Sequence, residues 1–578
     1  MARGKVDFTF KIAGEAGYGI MFSGLVFSKV ALRSGYFVFD TNEYPSLIRG
    51  GHNVYTVRVS QEEISSQVAP VDFLVALNQE GFEFHQKELS PGAALILNTD
   101  KIDLKKIKIP QKINVFPIPL IKLAKEVGGQ EIMMNSVALG ATIFLLKADF
   151  TILSSIFQDI FGSQQKEIDL NIRAAKAGFD FVANNYPKVD LDFNLKKIKN
   201  RERVLLSGND AICLGAIKAG CKFFAAYPMT PINSIIAYFA KKANDLGIFY
   251  FQPEDEIAGI NSAIGASFVG LRSMVATSGG GFSLMTEAYG LAGMTETPLV
   301  IILGQRPGPA TGLPTWTGQG DLRFVLHAAQ DDFPRIVLAP GDPEECFWLT
   351  IEAFNLAEKY QTTVVLLVDK HLCESHKSVD LFDESKVKID RGLLFTVKNQ
   401  EKEYKRYRFT DSGISPRQLV TKEGVVFRAN SDEHNEFGFS EEDALNRKMM
   451  VEKRMRKLKT LEKELPSPQL FGKKQAEITL IGWGSSKGPI LEAQKILRKE
   501  GIETNFLHFN FLNPFPSKFV ERYLKASKKT LLIEQNYSGQ VQGLIREKTG
   551  LEIKNCFFKY DGRPYFPEEI VEKVKKII

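Results

Sequence analysis

The chain has only five cysteines in 578 residues, Cys213, Cys221, Cys346, Cys373 and Cys556, and no two of them form a CxxC pair. Iron–sulfur clusters and zinc sites draw their thiolates from closely spaced cysteines, so this chain is expected to hold no metal and to use most of its cysteines as small buried hydrophobes. No apolar run approaches the roughly 20 residues that a membrane span needs. The opening MARGKVDFTFKIAGEAGYG passes directly into a strand-like run and a glycine turn, without the apolar stretch and cleavage site of a secretory signal. The expectation is a cytoplasmic protein with no membrane segment. Charge of one sign is lacking as well: 74 Lys and Arg face 68 Asp and Glu, a net of +6, and such a mixed surface disfavours nucleic acid as a partner. Two phosphate signatures are also missing. There is no GxxxxGK[ST], and no GDG with a downstream Asn to hold magnesium and a diphosphate.

A chain of this length is too long for one core, which predicts about three or four domains. The order of its patterns is α/β throughout. Residues 1–186 read as strand, glycine turn and helix (VDFTFKIAG, EAGYG, IMFSGLVFSKVALRSG), then the strands YFVFDTNEY, VDFLVALN and AALILNTD. That alternation predicts a mostly parallel sheet covered on both faces. Residues 187–203 are basic, polar and weakly periodic, as in a linker. A second α/β domain is expected over 204–378, with strands KFFAAYP, SMVATS, PLVIILG and TTVVLLVD. The connecting region 379–470 contains EEDALNRKMMVEKRMRKLKTLEKE, which predicts one long solvated helix, and 471–578 is a compact α/β domain that opens on EITLIGWGSS.

Glycine turns between strand and helix bring backbone N–H groups toward a ligand, which suits phosphate. Gly14, Gly17 and Gly19 are spaced GxxGxG, and a similar turn spans 482–486, but neither is a complete dinucleotide fingerprint and sharp turns need glycine without any ligand. The stretch FYFQPEDEIAGINSAIGASFVG says more. Its three acids, Glu254, Asp255 and Glu256, end a strand just before a helix, where a carboxylate often does no more than meet the positive helix end, an interaction of about 0.3–1 kcal/mol. Thiamine catalysis asks for something sharper: a glutamate facing N1′ of the aminopyrimidine, at the start of a helix with small residues at the third, seventh and ninth places after it. Glu256 meets that pattern with Gly259, Ala263 and Gly265, and Glu254 meets it poorly. Two flanking loops carry further polar groups past strand ends. AAYPMTPINSI presents Thr230, with Tyr227 and Pro228 before it, and LGQRPGPATGLPTWTGQGDL carries Arg306, Thr311, Thr315, Thr317 and Gln319, with Trp316 between two of the threonines. An arginine fork matches a carboxylate, and threonine hydroxyls complete an oxygen shell, although a structural salt bridge is the plainer role for Arg306.

Together with GEAGYGIMFSG, YPSLIRGGHNVYTVRVS, MNSVALGA from Met134, RFTDSGISPRQ at 408–418 and DEHNEFG at 432–438, these stretches resemble the α-subunit family of 2-oxoacid:ferredoxin oxidoreductases, in the form with a γ-type domain fused in front. The resemblance implies a γ-type α/β domain, a thiamine-enzyme pyrimidine-binding domain and a transketolase C-terminal-like domain. It implies oxidative decarboxylation of a small 2-oxoacid on thiamine diphosphate, with coenzyme A taking the acyl group and electrons passing to ferredoxin. It also implies a β subunit that holds the diphosphate, magnesium and a [4Fe-4S] cluster, in keeping with the missing GDG and CxxC. Carried over by position, Glu256 is the N1′ glutamate, Tyr227 and Pro228 border the cofactor, Thr230 is the threonine of the family's YPITP, and Arg306 with Thr315 contacts the oxoacid's carboxylate and carbonyl. Gly14, Gly17 and Gly19 remain cofactor-binding candidates.

The sequence departs from the family at Met229, Ile232 and Asn233, and most of all at PTWTGQ, where 2-oxoglutarate-type members read PTKTEQ or PTRTEQ. Trp316 removes a cation that could meet a distal carboxylate, which favours an apolar, aromatic or small 2-oxoacid. Two other functions compete: a self-contained transketolase-like transferase, and a non-catalytic scaffold that binds a nucleotide through its glycine turns.

Overall fold

The computed structural model describes residues 6–47, 50–395, 404–420 and 426–578. Ile48 and Arg49 of the YPSLIRGG stretch therefore lie outside the described residues. The chain divides into two compact units. The first comprises Met1–Leu206 with Ser375–Phe382 and Phe566–Glu569, and the second comprises Ser207–Glu374, Asp383–Tyr565 and Ile570–Ile578.

The first unit is built on an eight-stranded sheet in the order Asn114–Ile118, Leu89–Asn98, Val71–Ala76, Asp7–Glu15, His52–Ser60, Phe37–Glu43, His376–Asp380, Arg203–Ser207. The mostly parallel sheet expected there is corrected: Asp7–Glu15 runs parallel to Val71–Ala76 but antiparallel to His52–Ser60, which is also antiparallel to Phe37–Glu43. Residues 44–51 are too few for a crossover, which takes a dozen or more, so the chain can only turn back. The polar segment after residue 186 is laid against this unit by two buried leucines, Leu191 and Leu195, with Leu195 N donating to Leu146 O at 2.7 Å.

In the second unit the central sheet runs Phe511–Asn513, Arg335–Leu338, Thr363–Asp369, Leu299–Gln305, Ser273–Ser278, Phe223–Ala225, Phe249–Phe251. All its pairings are parallel except that of Phe511–Asn513. Every residue of Leu299–Gln305 and of Thr363–Asp369 is buried, as expected of strands covered on both faces. Parallel strands place their C-terminal ends on one edge, and the loops at 226–232 and 306–321 leave from that edge. A third, five-stranded sheet holds Gln469–Gly472, Thr504–Phe509, Ile478–Trp483, Thr530–Glu534 and Cys556–Phe558. The run TNFLHFNFLN does not stay in it: after Asn510 the chain leaves to pair Phe511–Asn513 with the central sheet. No helix among the described residues is long and apolar enough to cross a membrane.

The charged helix is corrected in its surroundings. It spans Ala444–Glu462, but Met450, Lys453, Arg454, Lys457 and Leu461 are buried along one face. Lys453 and Lys457, both fully buried, contact the fully buried Glu296 at 2.5 Å each, and Arg454 meets Glu433 at 2.7 Å. A helical seam of cations can be buried only where carboxylates await it. Glu296 lies far away in sequence and Glu433 lies outside the helix, so helical periodicity could not reveal them.

Candidate active site at the C-terminal edge of the central sheet

Of the three acids before the Glu256–Phe268 helix, Asp255 takes the plain role. It is the N-cap, and its carboxylate accepts from Ala258 N at 2.8 Å. Glu254 is exposed. Glu256, the first helical residue, is 3% exposed, and its Oε1 is sealed from water without a hydrogen-bond partner. Burial raises its pKa above the ordinary carboxyl value, and the charge of Asp255 adds to the rise.

Glu256 points at the start of the Gly279–Met294 helix, which opens on three glycines and has no side-chain cap. A β-carbon at Gly281 would collide with Thr277 Oγ1 and with Glu256 Oε1, so only glycine lets the carboxylate lie against this helix end. The other expected loops arrive at the same place. Ser278 Oγ donates to Met229 Sδ at 2.6 Å, and Asp321 lies against Gly279. Arg306 Nη1 donates to Thr230 O at 2.9 Å, joining the arginine loop to the YPMTP loop. Glu256, Thr230 and Arg306, distant in sequence, thus gather around one glycine-headed helix. Thr315 is buried with its Oγ1 unpartnered, and Gln305 Nε2 at the preceding strand end and Asp321 Oδ2 at the end of the same loop are sealed without partners as well. An unmet buried polar atom costs about 1–3 kcal/mol, and with Glu256 Oε1 four such atoms lie on segments at this end of the central sheet. Tyr227 and Pro228 are exposed beside it.

Three family models match: "Pyruvate ferredoxin/flavodoxin oxidoreductase" over residues 9–181, "Pyruvate flavodoxin/ferredoxin oxidoreductase, thiamine diP-bdg" over 214–453, and "Pyruvate:ferredoxin oxidoreductase core domain II" over 476–570. The α subunit of 2-oxoacid:ferredoxin oxidoreductase 2 from Aeropyrum pernix is 32% identical over 99% of this chain and 98% of its own length. The α subunit from a Sulfolobus species is 33% identical over 98% and 96%. A solved structure from Magnetococcus marinus, a 2-oxoglutarate:ferredoxin oxidoreductase with 2-oxoglutarate, coenzyme A and succinyl-CoA bound, superposes with a TM-score of 0.92 at 32% identity, covering 99% of this chain and 100% of that one.

The chain belongs to the 2-oxoacid:ferredoxin oxidoreductase family, as an α subunit.

Like an α subunit of the fused form, it carries a γ-subunit-like region at its amino-terminal end, matched over 9–181. In that unit Gly17 and Gly19 take positive φ, +95° and +73°, and Gly19 heads the Ile20–Arg33 helix with no side-chain cap. The side-chain amide of Asn135, from the MNSVALGA stretch, packs on Gly19. The second glycine turn is different, because the protein fills it itself. Ser485 N donates to the buried Asp369 carboxylate at 3.2 Å, and Gln319 Nε2 donates to Trp483 O at 2.9 Å. Asp369 also accepts from Thr317 Oγ1 at 3.2 Å. The 482–486 turn therefore clamps the arginine loop, a use its composition did not disclose. Trp316 is half-buried, and the exposed Arg563 stacks its guanidinium 3.2 Å from the indole centroid.

Sequence reasoning missed Gly279–Gly281, Gln305 and Asp321. The run SGGG directly after the strand SMVATS was the available signal for the first. Nothing distinguished Gln305 or Asp321 from other polar loop residues. Among the described residues no group of three or more His, Cys, Asp or Glu side chains is placed to hold a metal ion.

Proposed function

We propose that this α subunit supplies the pyrimidine side of a thiamine diphosphate site and the anchors for a 2-oxoacid. The enzyme decarboxylates the oxoacid oxidatively, passes the acyl group to coenzyme A and reduces ferredoxin. The observation that carries this reading is the sealed, unpartnered Glu256 carboxylate against a glycine-headed helix end. A carboxyl sealed there, its pKa raised by burial, is placed to share a hydrogen bond with a ring nitrogen, which fits the cofactor's N1′. Bound, thiamine diphosphate supplies the nucleophilic carbon and the electron sink for loss of carbon dioxide. Glu256 holds and returns a proton at N1′, with Tyr227 and Pro228 bordering the ring. Arg306, which spends one N–H on Thr230, turns its remaining donors to the oxoacid carboxylate, and the free Thr315 hydroxyl meets the carbonyl side. Thr230 is positioned by the same contact.

Magnesium, the diphosphate and a [4Fe-4S] cluster are assigned to a β subunit. What supports an absent partner is the outer face of the Glu256–Phe268 helix: Ile257, Asn261, Gly265 and Val269 are exposed, with Tyr227, Phe251 and Leu284 exposed nearby. In the first unit, Gly14, Gly17 and Gly19 are proposed to face the phosphates of coenzyme A.

The substrate is proposed to be a small, apolar or aromatic 2-oxoacid, because Trp316 and Gly318 replace the charged pair of PTKTEQ. The Arg563 guanidinium on Trp316 favours a second reading, in which a cation from the last domain meets a distal carboxylate. A panel of 2-oxoacids on the complex co-expressed with its β subunit, with methyl viologen as acceptor, decides between them. If Arg563 reads a distal carboxylate, Arg563→Ala raises KM for 2-oxoglutarate at least tenfold and leaves pyruvate unchanged. Full turnover by the α chain alone would overturn the shared-site assignment.

A further inference from the structure

Arg306 and Asp321 close the two ends of the loop that follows the strand Leu299–Gln305. Asp321 N donates to Gln305 Oε1 at 3.1 Å, which pins the end of the loop back to its start. The Asp321 carboxylate lies against Gly279, at the uncapped N-terminus of the glycine-headed helix, and its Oδ2 is sealed without a partner. Arg306 follows directly on Gln305, to which Asp321 is pinned, and its charge acts on the Asp321 carboxylate, but among the described residues the two make no direct ion pair. A carboxylate and a guanidinium that feel each other without touching, beside a helix N-terminus, form a charge-balanced pair before any substrate arrives. A 2-oxoacid brings a second carboxylate to the same guanidinium. Two carboxylates sharing one cation in a buried site favour taking up a proton.

We propose that Asp321 is a positioning residue that serves as the internal counter-anion of Arg306 and takes one proton from solvent as the oxoacid carboxylate binds. This rests on the assignment of Arg306 to the substrate. Burial already pushes the Asp321 carboxyl up to about 6, with the Arg306 charge working against the rise. The groups that face it are few. Arg306 comes from its own loop, and Glu256 lies across the glycine run. Gln305, at the strand end, is neutral, and the first two turns of the glycine-headed helix carry no charge. Arg323 on the following helix turns away to Glu547 at 2.6 Å.

The test is calorimetric titration of the αβ complex with oxamate, an unreactive analogue of the 2-oxoacid head, between pH 5.5 and 8.5 in buffers of different ionisation enthalpy. The wild type should take up close to one proton per oxamate above about pH 7, with affinity falling about tenfold per pH unit there. Asp321→Asn should bind oxamate with no proton uptake and a flat pH profile, lowering KM for the oxoacid at high pH more than it changes kcat. Wild-type binding without proton uptake would overturn the proposal without recourse to any variant, and so would unchanged uptake in Asp321→Asn. Arg306→Gln separates the two layers of inference. If it leaves oxamate affinity intact, the substrate assignment itself fails; if it weakens oxamate at least tenfold while Asp321→Asn keeps the uptake, only the role of Asp321 falls.

Discussion

Replacing Glu256 by glutamine changes one oxygen to an amide and removes the proton that the proposed N1′ contact would exchange. General acid–base groups contribute about two to four decades of rate, which at 1.36 kcal/mol per decade is about 3–5 kcal/mol of barrier. Folding should not suffer. Burial raises the folded pKa of Glu256 above its unfolded value, so its contribution favours the folded state at low pH and declines as pH rises through that window. Glutamine, which cannot ionise, escapes the decline. Glu256→Gln should therefore be at least as stable as the wild type at pH 8 and converge with it below pH 4. The assay is 2-oxoacid-dependent reduction of methyl viologen by the αβ complex, beside urea unfolding at both pH values and calorimetric binding of thiamine diphosphate. Turnover within threefold of wild type would refute the assignment, as would an equal loss from Glu254→Gln, since Glu254 is exposed.

Gly281→Ala places a methyl group against Thr277 and the Glu256 carboxylate. Displacing a reacting group by about 1 Å can cost a hundredfold, so turnover should fall by ten- to a hundredfold while the far-ultraviolet circular dichroism is kept. Glu296→Gln leaves Lys453 and Lys457 buried without their counter-charge, a loss of about 3–5 kcal/mol visible as a lower thermal midpoint, and Lys453→Met with Lys457→Met in that background should restore much of it. For Glu433, burial would raise the pKa, but hydrogen bonds and charge from Arg454 and Arg447 outweigh it and hold the carboxyl at about 2. Its contribution is full above the ordinary glutamate range and is lost as pH falls toward 2, so the difference in urea midpoint between wild type and Glu433→Gln should shrink between pH 7 and pH 3.

Much of this protein is legible locally. The strand, turn and helix at Asp7–Arg33 follow from apolar alternation, two positive-φ glycines and a helical run, and the strands Ser273–Ser278, Leu299–Gln305 and Thr363–Asp369 from short buried apolar runs. The place of Glu256 at a helix start was legible because a carboxylate followed by small residues is a contiguous pattern. The partners of the buried lysines were not, since Glu296 is remote from residues 453 and 457. Nor was the use of the 482–486 turn, because the carboxylate that fills it belongs to Asp369.

By itself the sequence determined most of the elements and the family, and it singled out Glu256, Thr230 and Arg306 as candidates, because those readings rest on contiguous patterns. Only the tertiary structure decided that residues 376–380 join the first sheet, that an apparently solvated helix buries a seam of cations, and that the Arg306 charge reaches Asp321. Those outcomes depend on which distant carboxylate meets which cation, a matter of spatial packing that no local pattern encodes.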